Sequence, residues 1–171
     1  MRFRRLGFLT TKLAVMAPVI LVVLSFVHPW GNLRSESPGV AIESSSKETQ
    51  ALLSQKCGDC HSSNTHWPFY SRIAPASWLV EHDVKEGRAH LNFSRWEQYS
   101  LDERIDLLSK ISSQLRQGKM PLKQYLLLHP EARLTDSERN LVVDWAKLER
   151  RRLISARNKE HTMEEERVGG R

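Results

Sequence analysis

Cys57-Gly58-Asp59-Cys60-His61 is the stretch of this chain that decides its fold. It matches C-x-x-C-H, the attachment site of c-type haem. Two thiols three residues apart lie on one side of a helical turn, so both can add to the vinyl groups of one porphyrin. His61 would then lie beneath the iron and ligate it from the proximal side. The chain has no other cysteine, so the pattern predicts one covalent haem c per chain.

Three other functions of this cysteine pair are alternatives to haem attachment. A thioredoxin-type redox motif needs a strand before it, and the residues that flank the motif contain no β-branched run. A zinc site needs a second pair of ligands, such as His66 with a distant histidine, and no closely spaced second pair occurs. A disulfide across so short a loop would add little stability. The completeness of the motif therefore favours haem.

The first thirty residues predict export and a membrane anchor. Four basic residues lie within the first twelve, and the first acidic residue is Glu36. An apolar run at 13–27 follows, with a length between that of a signal-peptide core and a full membrane span. No small-x-small cleavage site follows it, and Trp30 suits a membrane interface. We expect an uncleaved anchor that crosses the bacterial inner membrane once, with the haem domain in the periplasm; a cleaved signal peptide is the alternative.

Composition divides the chain into four segments. After the anchor the sequence is polar and contains proline, glycine and serine, which is typical of a flexible tether. The predicted segments are the anchor at 1–30, a linker at 31–46, the haem domain at 47–149 and a charged helical tail at 150–171.

The formal net charge of +6 does not indicate nucleic-acid binding. Four of the 26 basic residues lie in the predicted anchor, which leaves 22 basic against 20 acidic residues in the rest of the chain. Two haem propionates would bring this balance close to zero. Because the rest of the chain is nearly neutral, we expect no nucleic-acid partner.

Helical signals follow the tether, and continuous strands are hard to find. The expected class is therefore all-α, a small cytochrome c-like helical domain around one haem. We expect four helical features: a first helix capped by Ser45 or Ser46, a second from Pro75 to Gly87, capping boxes at 94–97 and 100–103, and a final helix opened by Thr135 and Glu138. After the second box, apolar residues recur at helical spacing until Gly118.

Met120 is the expected sixth ligand of the iron. It lies in Gly118-Lys119-Met120-Pro121, on a loop well downstream of the haem motif. Pro121 biases the residue before it towards extended geometry, which helps to aim the sulfur. A methionine that only fills a gap in the core is the alternative. Among the histidines, His129 is the competing ligand, and the choice matters because a Met/His pair raises the reduction potential.

Several segments resemble the bacterial haem-binding domain family, which is cytochrome c-like. The resemblance covers about residues 50–148, and its most distinctive stretches are residues 57–71, 73–80, 83–88, 91–96 and 118–134. It implies a small helical c-type domain with haem carried on Cys57, Cys60 and His61. Similar domains occur joined to cytochrome c or di-haem peroxidase modules, which implies electron exchange with such partners.

Other residues could orient His61 or pair with the haem propionates. A backbone carbonyl at Trp67-Pro68 could accept the Nδ1 proton of His61, or the stretch could simply be a rigid loop. Arg72 or Arg88 could pair with a propionate, although a solvated arginine is the simpler expectation. The predicted function is that of an electron carrier rather than a catalyst, with a haem-based sensor or peroxidase-associated haem domain as the alternative. Carbon monoxide binding would favour the alternative.

Overall fold

A computed structural model describes residues 14, 16–31, 33 and 46–169 of the chain. No strand occurs among these residues, which agrees with the expected all-α class. The helices are α1 (Lys47–Leu52), α2 (Gly58–His61), α3 (Ala76–His90), α4 (Leu101–Arg116), α5 (Tyr125–Leu128) and α6 (Asp136–Gly169). A π-helical turn at Leu53–Cys57 joins α1 to α2, and 3₁₀ turns lie at Phe69–Arg72, Phe93–Gln98 and Pro130–Ala132.

The first helix begins after Ser46, one of the two predicted capping residues. The Ser46 side chain accepts a hydrogen bond from the Thr49 N–H, and Glu48 lies in the first turn. The π-helical turn that follows ends at Cys57, so the haem motif begins where the helix is locally widened. Single π-helical turns of this kind are frequent at functional sites.

The second predicted helix, α3, ends later than Gly87. It runs on to His90, and the Leu91 N–H still donates to the Gly87 carbonyl at 2.9 Å. Gly87 is therefore an interior residue of α3. The predicted end at Gly87 was wrong because a glycine in a helical pattern can serve close packing as well as termination.

The two predicted capping boxes have different outcomes. At α4 the Ser100 hydroxyl accepts from the Glu103 N–H at 3.3 Å while Glu103 accepts from the Ser100 N–H at 2.7 Å, so this box is confirmed. The box predicted at 94–97 is wrong. Asn92 caps that 3₁₀ turn, with its side chain accepting from the Ser94 N–H at 3.0 Å.

The core lies mainly between α4 and α6, and α6 also contacts α1. The apolar stripe predicted along α4 is largely buried. On α6, Val142 and Trp145 are buried, whereas Leu148 is 56% exposed and lies off the buried face. Leu153 is buried in this core, so the predicted tail begins within the packed part of α6.

The N-terminal apolar run is helical at residues 16–24. Within the described part of the chain, we find no helix whose length and hydropathy suffice to span a bilayer. The basic N-terminus and most of the predicted linker, residues 1–13 and 34–45, lie outside the described residues.

Residues 25–31 lie along α3 and the turn that precedes it. The Ser25 hydroxyl accepts from the Ala74 N–H at 3.0 Å, and the Val27 carbonyl accepts from the Trp78 indole N–H at 2.8 Å. His28 lies 2.8 Å from the buried Glu81 carboxylate. The chain therefore turns from the apolar helix directly onto the domain that carries the cysteines.

Candidate functional site

The two cysteines lie close together at the start of α2 and are not joined in a disulfide. Cys57 packs against the hydrophobic core. Burial raises the pKa of Cys57 to about 12, with the second thiol adding to the shift. Burial and then the nearby Asp59 raise the pKa of Cys60 to about 11. Both groups are therefore neutral thiols at pH 7, unlike the acidic thiolate of a disulfide oxidoreductase.

His61 is held in one tautomer by the C-terminal end of α3. Its Nδ1 lies 3.0 Å from the Gly87 carbonyl and 3.1 Å from the Leu91 carbonyl. Carbonyl oxygens only accept hydrogen bonds, so Nδ1 carries the ring proton and Nε2 keeps its lone pair. Burial lowers the pKa of His61, which favours the neutral ring. A neutral, oriented imidazole with a free lone pair is what a metal needs.

The acceptor for His61 is not the one that the sequence suggested. We considered a carbonyl at Trp67-Pro68, but the acceptors are Gly87 and Leu91, about 26 to 30 residues from His61 along the chain. The interpretation was wrong because the end of α3 crosses the haem motif, and sequence spacing alone carries no sign of that crossing.

Gly87 allows this crossing. A Cβ atom built on Gly87 would lie 2.6 Å from the Cys60 carbonyl oxygen and 3.1 Å from the Cys60 Cβ. No side chain larger than hydrogen fits between α3 and α2 at this point. The absence of a side chain therefore brings the α3 carbonyls within reach of His61.

Arg88 connects the loop after His61 to α3. Its guanidinium donates to the Ser62 carbonyl at 2.8 Å, to the Thr65 hydroxyl at 2.9 Å and to the Leu33 carbonyl at 3.0 Å. All three guanidinium nitrogens of Arg88 therefore donate to protein oxygens. Arg88 therefore holds the loop after His61 in place. These contacts do not support the pairing of Arg88 with a haem propionate that we considered. Arg72 is exposed, as the simpler expectation had it.

A buried aromatic ring, that of Phe93, lies beside His61. Phe93 and Trp96 are each 6% exposed, and the Phe93 ring centroid is 6.2 Å from that of His61. Tyr99 packs edge-on against Trp96 at 6.1 Å. These rings belong to the hydrophobic core or pack against it.

Met120 lies on the loop between α4 and α5. It is partly buried and packs against the same hydrophobic core as Cys57. The loop leaves α4 through Gly118, whose φ of +62° favours glycine. The peptide bond between Met120 and Pro121 is cis. Met120 and Cys57 therefore border the same hydrophobic core.

His129, the competing sixth ligand, has contacts at both ring nitrogens. Nδ1 lies 2.9 Å from the Glu131 carboxylate, and Nε2 is hydrogen bonded to the Tyr70 hydroxyl. The ring also stacks on Tyr125, with a centroid separation of 4.3 Å and an interplanar angle of 17°. His129 would have to give up one of these hydrogen bonds to bind iron, which favours Met120.

Asp59 and Tyr125 were not singled out by the sequence. Asp59 Oδ1 accepts from the His66 N–H at 2.8 Å, and Oδ2 accepts from the Tyr125 hydroxyl at 3.2 Å. Burial, followed by the charge of Asp59, raises the pKa of Tyr125, so the hydroxyl keeps its proton and donates. The two residues are 66 positions apart, and no local pattern links them.

Among the described residues, no group of three or more histidine, cysteine and acidic side chains is arranged to hold a metal ion. Cys57 and Cys60 are therefore not joined by further zinc ligands in that part of the chain. The donor set at the motif, two thiols and one oriented imidazole, fits a c-type haem.

Comparisons with known proteins agree with this site. A family model described as a haem-binding domain matches residues 19–148. The cytochrome c peroxidase Ccp of Escherichia coli (strain K12) is 27% identical over 139 residues, which are 78% of this chain and 30% of the peroxidase. The chain thus matches less than a third of the length of that relative. No solved structure matches the chain.

Proposed function

The chain belongs to the haem-binding domain family, and on that premise we propose that it carries one haem covalently on Cys57 and Cys60. His61 and Met120 would ligate the haem iron. When bound, the haem would supply one-electron exchange between the ferrous and ferric states. The proposed role is that of an electron carrier rather than a catalyst.

The observation that carries this proposal is the pair of hydrogen bonds from His61 Nδ1 to the Gly87 and Leu91 carbonyls. They hold the ring in the tautomer that presents Nε2. They also orient the imidazole through the end of a helix of 15 residues, which resists rotation of the ring. A histidine fixed in this way, directly after two free thiols, is suited to proximal ligation.

The other residues of the site control its surroundings. Phe93 is buried beside His61 and helps to exclude water from that side of the site. Arg88 keeps the loop after the motif in place. Exclusion of water and a Met/His ligand pair both favour a raised reduction potential.

The proposed location is the periplasmic face of the bacterial inner membrane, with the N-terminal segment as a single-pass anchor. The basic residues before the apolar run support this orientation. The contacts of Val27 and His28 with α3 support a haem domain held near the end of that segment. The proposed partners are other redox proteins, such as cytochromes or a di-haem peroxidase.

The direct test is to produce the chain with a haem-attachment system and stain the denatured polypeptide for haem. We expect the denatured wild-type chain to retain the haem stain. The double variant Cys57→Ser/Cys60→Ser should lose it. A colourless chain with two free thiols would contradict covalent attachment. A methionine-to-iron charge-transfer band that disappears in Met120→Ala would support the proposed sixth ligand.

The second candidate is a peroxidase-associated haem domain or a haem-based sensor with a displaceable sixth ligand. The likeness to a cytochrome c peroxidase favours it. Carbon monoxide binding by the reduced wild-type protein would support this candidate. A spectrum that the gas leaves unchanged would support the electron carrier.

A further inference from the structure

The loop that carries Met120 is attached to the haem motif itself. Tyr125 follows this loop, and its hydroxyl donates to Asp59 Oδ2 at 3.2 Å. Asp59 lies between the two cysteines, and its Oδ1 accepts from the His66 N–H at 2.8 Å. One carboxylate thus joins the motif, the segment after the motif and the segment five residues after Met120.

The other end of the loop is attached to α4. The Gly118 N–H donates to the Leu115 carbonyl at 3.1 Å, and the Lys119 N–H donates to the Gln114 carbonyl at 3.0 Å. Met120 therefore lies on a short segment with a helix end on one side and the Asp59–Tyr125 hydrogen bond on the other.

The Tyr125 ring is held independently of its hydroxyl. It stacks on His129, which is itself bonded to Tyr70 and Glu131. A phenylalanine at position 125 would keep this stack and lose only the bond to Asp59. The contribution of that hydrogen bond can therefore be measured separately from that of the ring.

We propose that the Asp59–Tyr125 hydrogen bond holds Met120 in place as the sixth ligand, which makes both of them positioning residues. This inference rests on the proposed function. A ligand on a restrained loop rebinds rapidly after it dissociates, because few alternative positions are open to it. Loosening the loop increases the population in which Met120 has left its position, and an added ligand binds in proportion to that population.

The test is an imidazole titration of the haem-loaded Tyr125→Phe protein, followed through the methionine-to-iron charge-transfer band. We expect imidazole to displace the band at a concentration roughly tenfold lower than in the wild type, in keeping with the loss of one hydrogen bond to a charged group. Arg157→Gln is the control, since it removes a hydrogen bond to another carboxylate, from Arg157 to Asp102 at 2.6 Å, at the start of α4 and far from the Met120 loop. The control should titrate like the wild type.

Asp59→Ala provides a second arm. Tyr125→Phe should add little to the imidazole affinity in this background, because the hydrogen bond is already absent. Additive effects of the two substitutions, or a Tyr125→Phe protein that titrates like the wild type, would overturn the inference. If Met120→Ala leaves the band unchanged, the proposed ligand is wrong. If Met120→Ala abolishes the band and Tyr125→Phe does not change the titration, only the positioning role fails.

Discussion

Gly87 and Cys60 are in contact through their backbones, since a Cβ atom on Gly87 would lie 2.6 Å from the Cys60 carbonyl oxygen. This contact brings the end of α3 over the haem motif. The same stretch of α3 supplies the Gly87 carbonyl that accepts from His61 Nδ1. One glycine therefore determines both how closely two helices approach and how the proposed proximal ligand is oriented.

Gly87→Ala is expected to push α3 away from the motif, because the clash is with backbone atoms that have little freedom to move. We expect a loss of about 1–3 kcal/mol in the free energy of unfolding, the usual cost of overpacking. Denaturant unfolding of the haem-loaded protein measures it. Ala89→Ser, which adds one heavy atom at an exposed position of the same helix, is the control. Equal stability of the two variants would contradict the proposed contact.

Met120→Ala and His129→Ala should have different effects on the optical spectrum. Met120→Ala is expected to remove the methionine-to-iron charge-transfer band and to lower the reduction potential. His129→Ala should retain the band, because both His129 nitrogens are engaged by Tyr70 and Glu131. Spectra and redox titrations of both variants check this. A wild-type spectrum that lacks the band, together with a spectral change only in His129→Ala, would assign the ligand role to His129.

The substitution Glu103→Gln tests the N-terminal cap of α4, because the contribution of this cap to stability depends on pH. Hydrogen bonds from the Ser100 N–H and hydroxyl lower the pKa of Glu103. A carboxyl whose pKa is lowered on folding stabilises the fold above its ordinary pKa of about 4.3 and loses this effect as the pH falls through the folded value. The variant should therefore be less stable than the wild type at pH 7, and the difference should narrow under acid conditions.

Unfolding curves of both proteins at several pH values measure this difference. Glu160→Gln is a suitable control, since Glu160 is exposed on α6, away from the cap of α4. A stability difference for Glu103→Gln that stays constant down to strongly acid pH would contradict the role of the carboxylate.

Trp78→Phe removes the indole N–H that donates to the Val27 carbonyl at 2.8 Å. We expect residues 25–31 to be held less firmly on α3, with a cost of about 1 kcal/mol for one hydrogen bond. Limited proteolysis followed by mass analysis should then show faster cleavage within residues 25–31. Trp30→Phe keeps this hydrogen bond and serves as the control. Unchanged cleavage in Trp78→Phe would indicate that the bond does not hold the segment.

Much of the helical layout could be predicted from local signals. The Ser46 cap, the Ser100–Glu103 box and the glycine after α4 each act within a few residues, and all three are present. The end of α3 and the cap of the 93–98 turn were predicted wrongly, because tertiary contacts of Gly87 and Asn92 compete with the local pattern.

The sequence by itself determined the chemistry of the site, since two thiols and a histidine at C-x-x-C-H spacing predict covalent haem without reference to a fold. Only the tertiary structure decided which carbonyls orient His61 and which residue joins the Met120 loop to Asp59. The physical reason is distance along the chain. Spacing within a helical turn dictates which side chains share a face, whereas contacts between residues 26 to 66 positions apart depend on how whole helices pack.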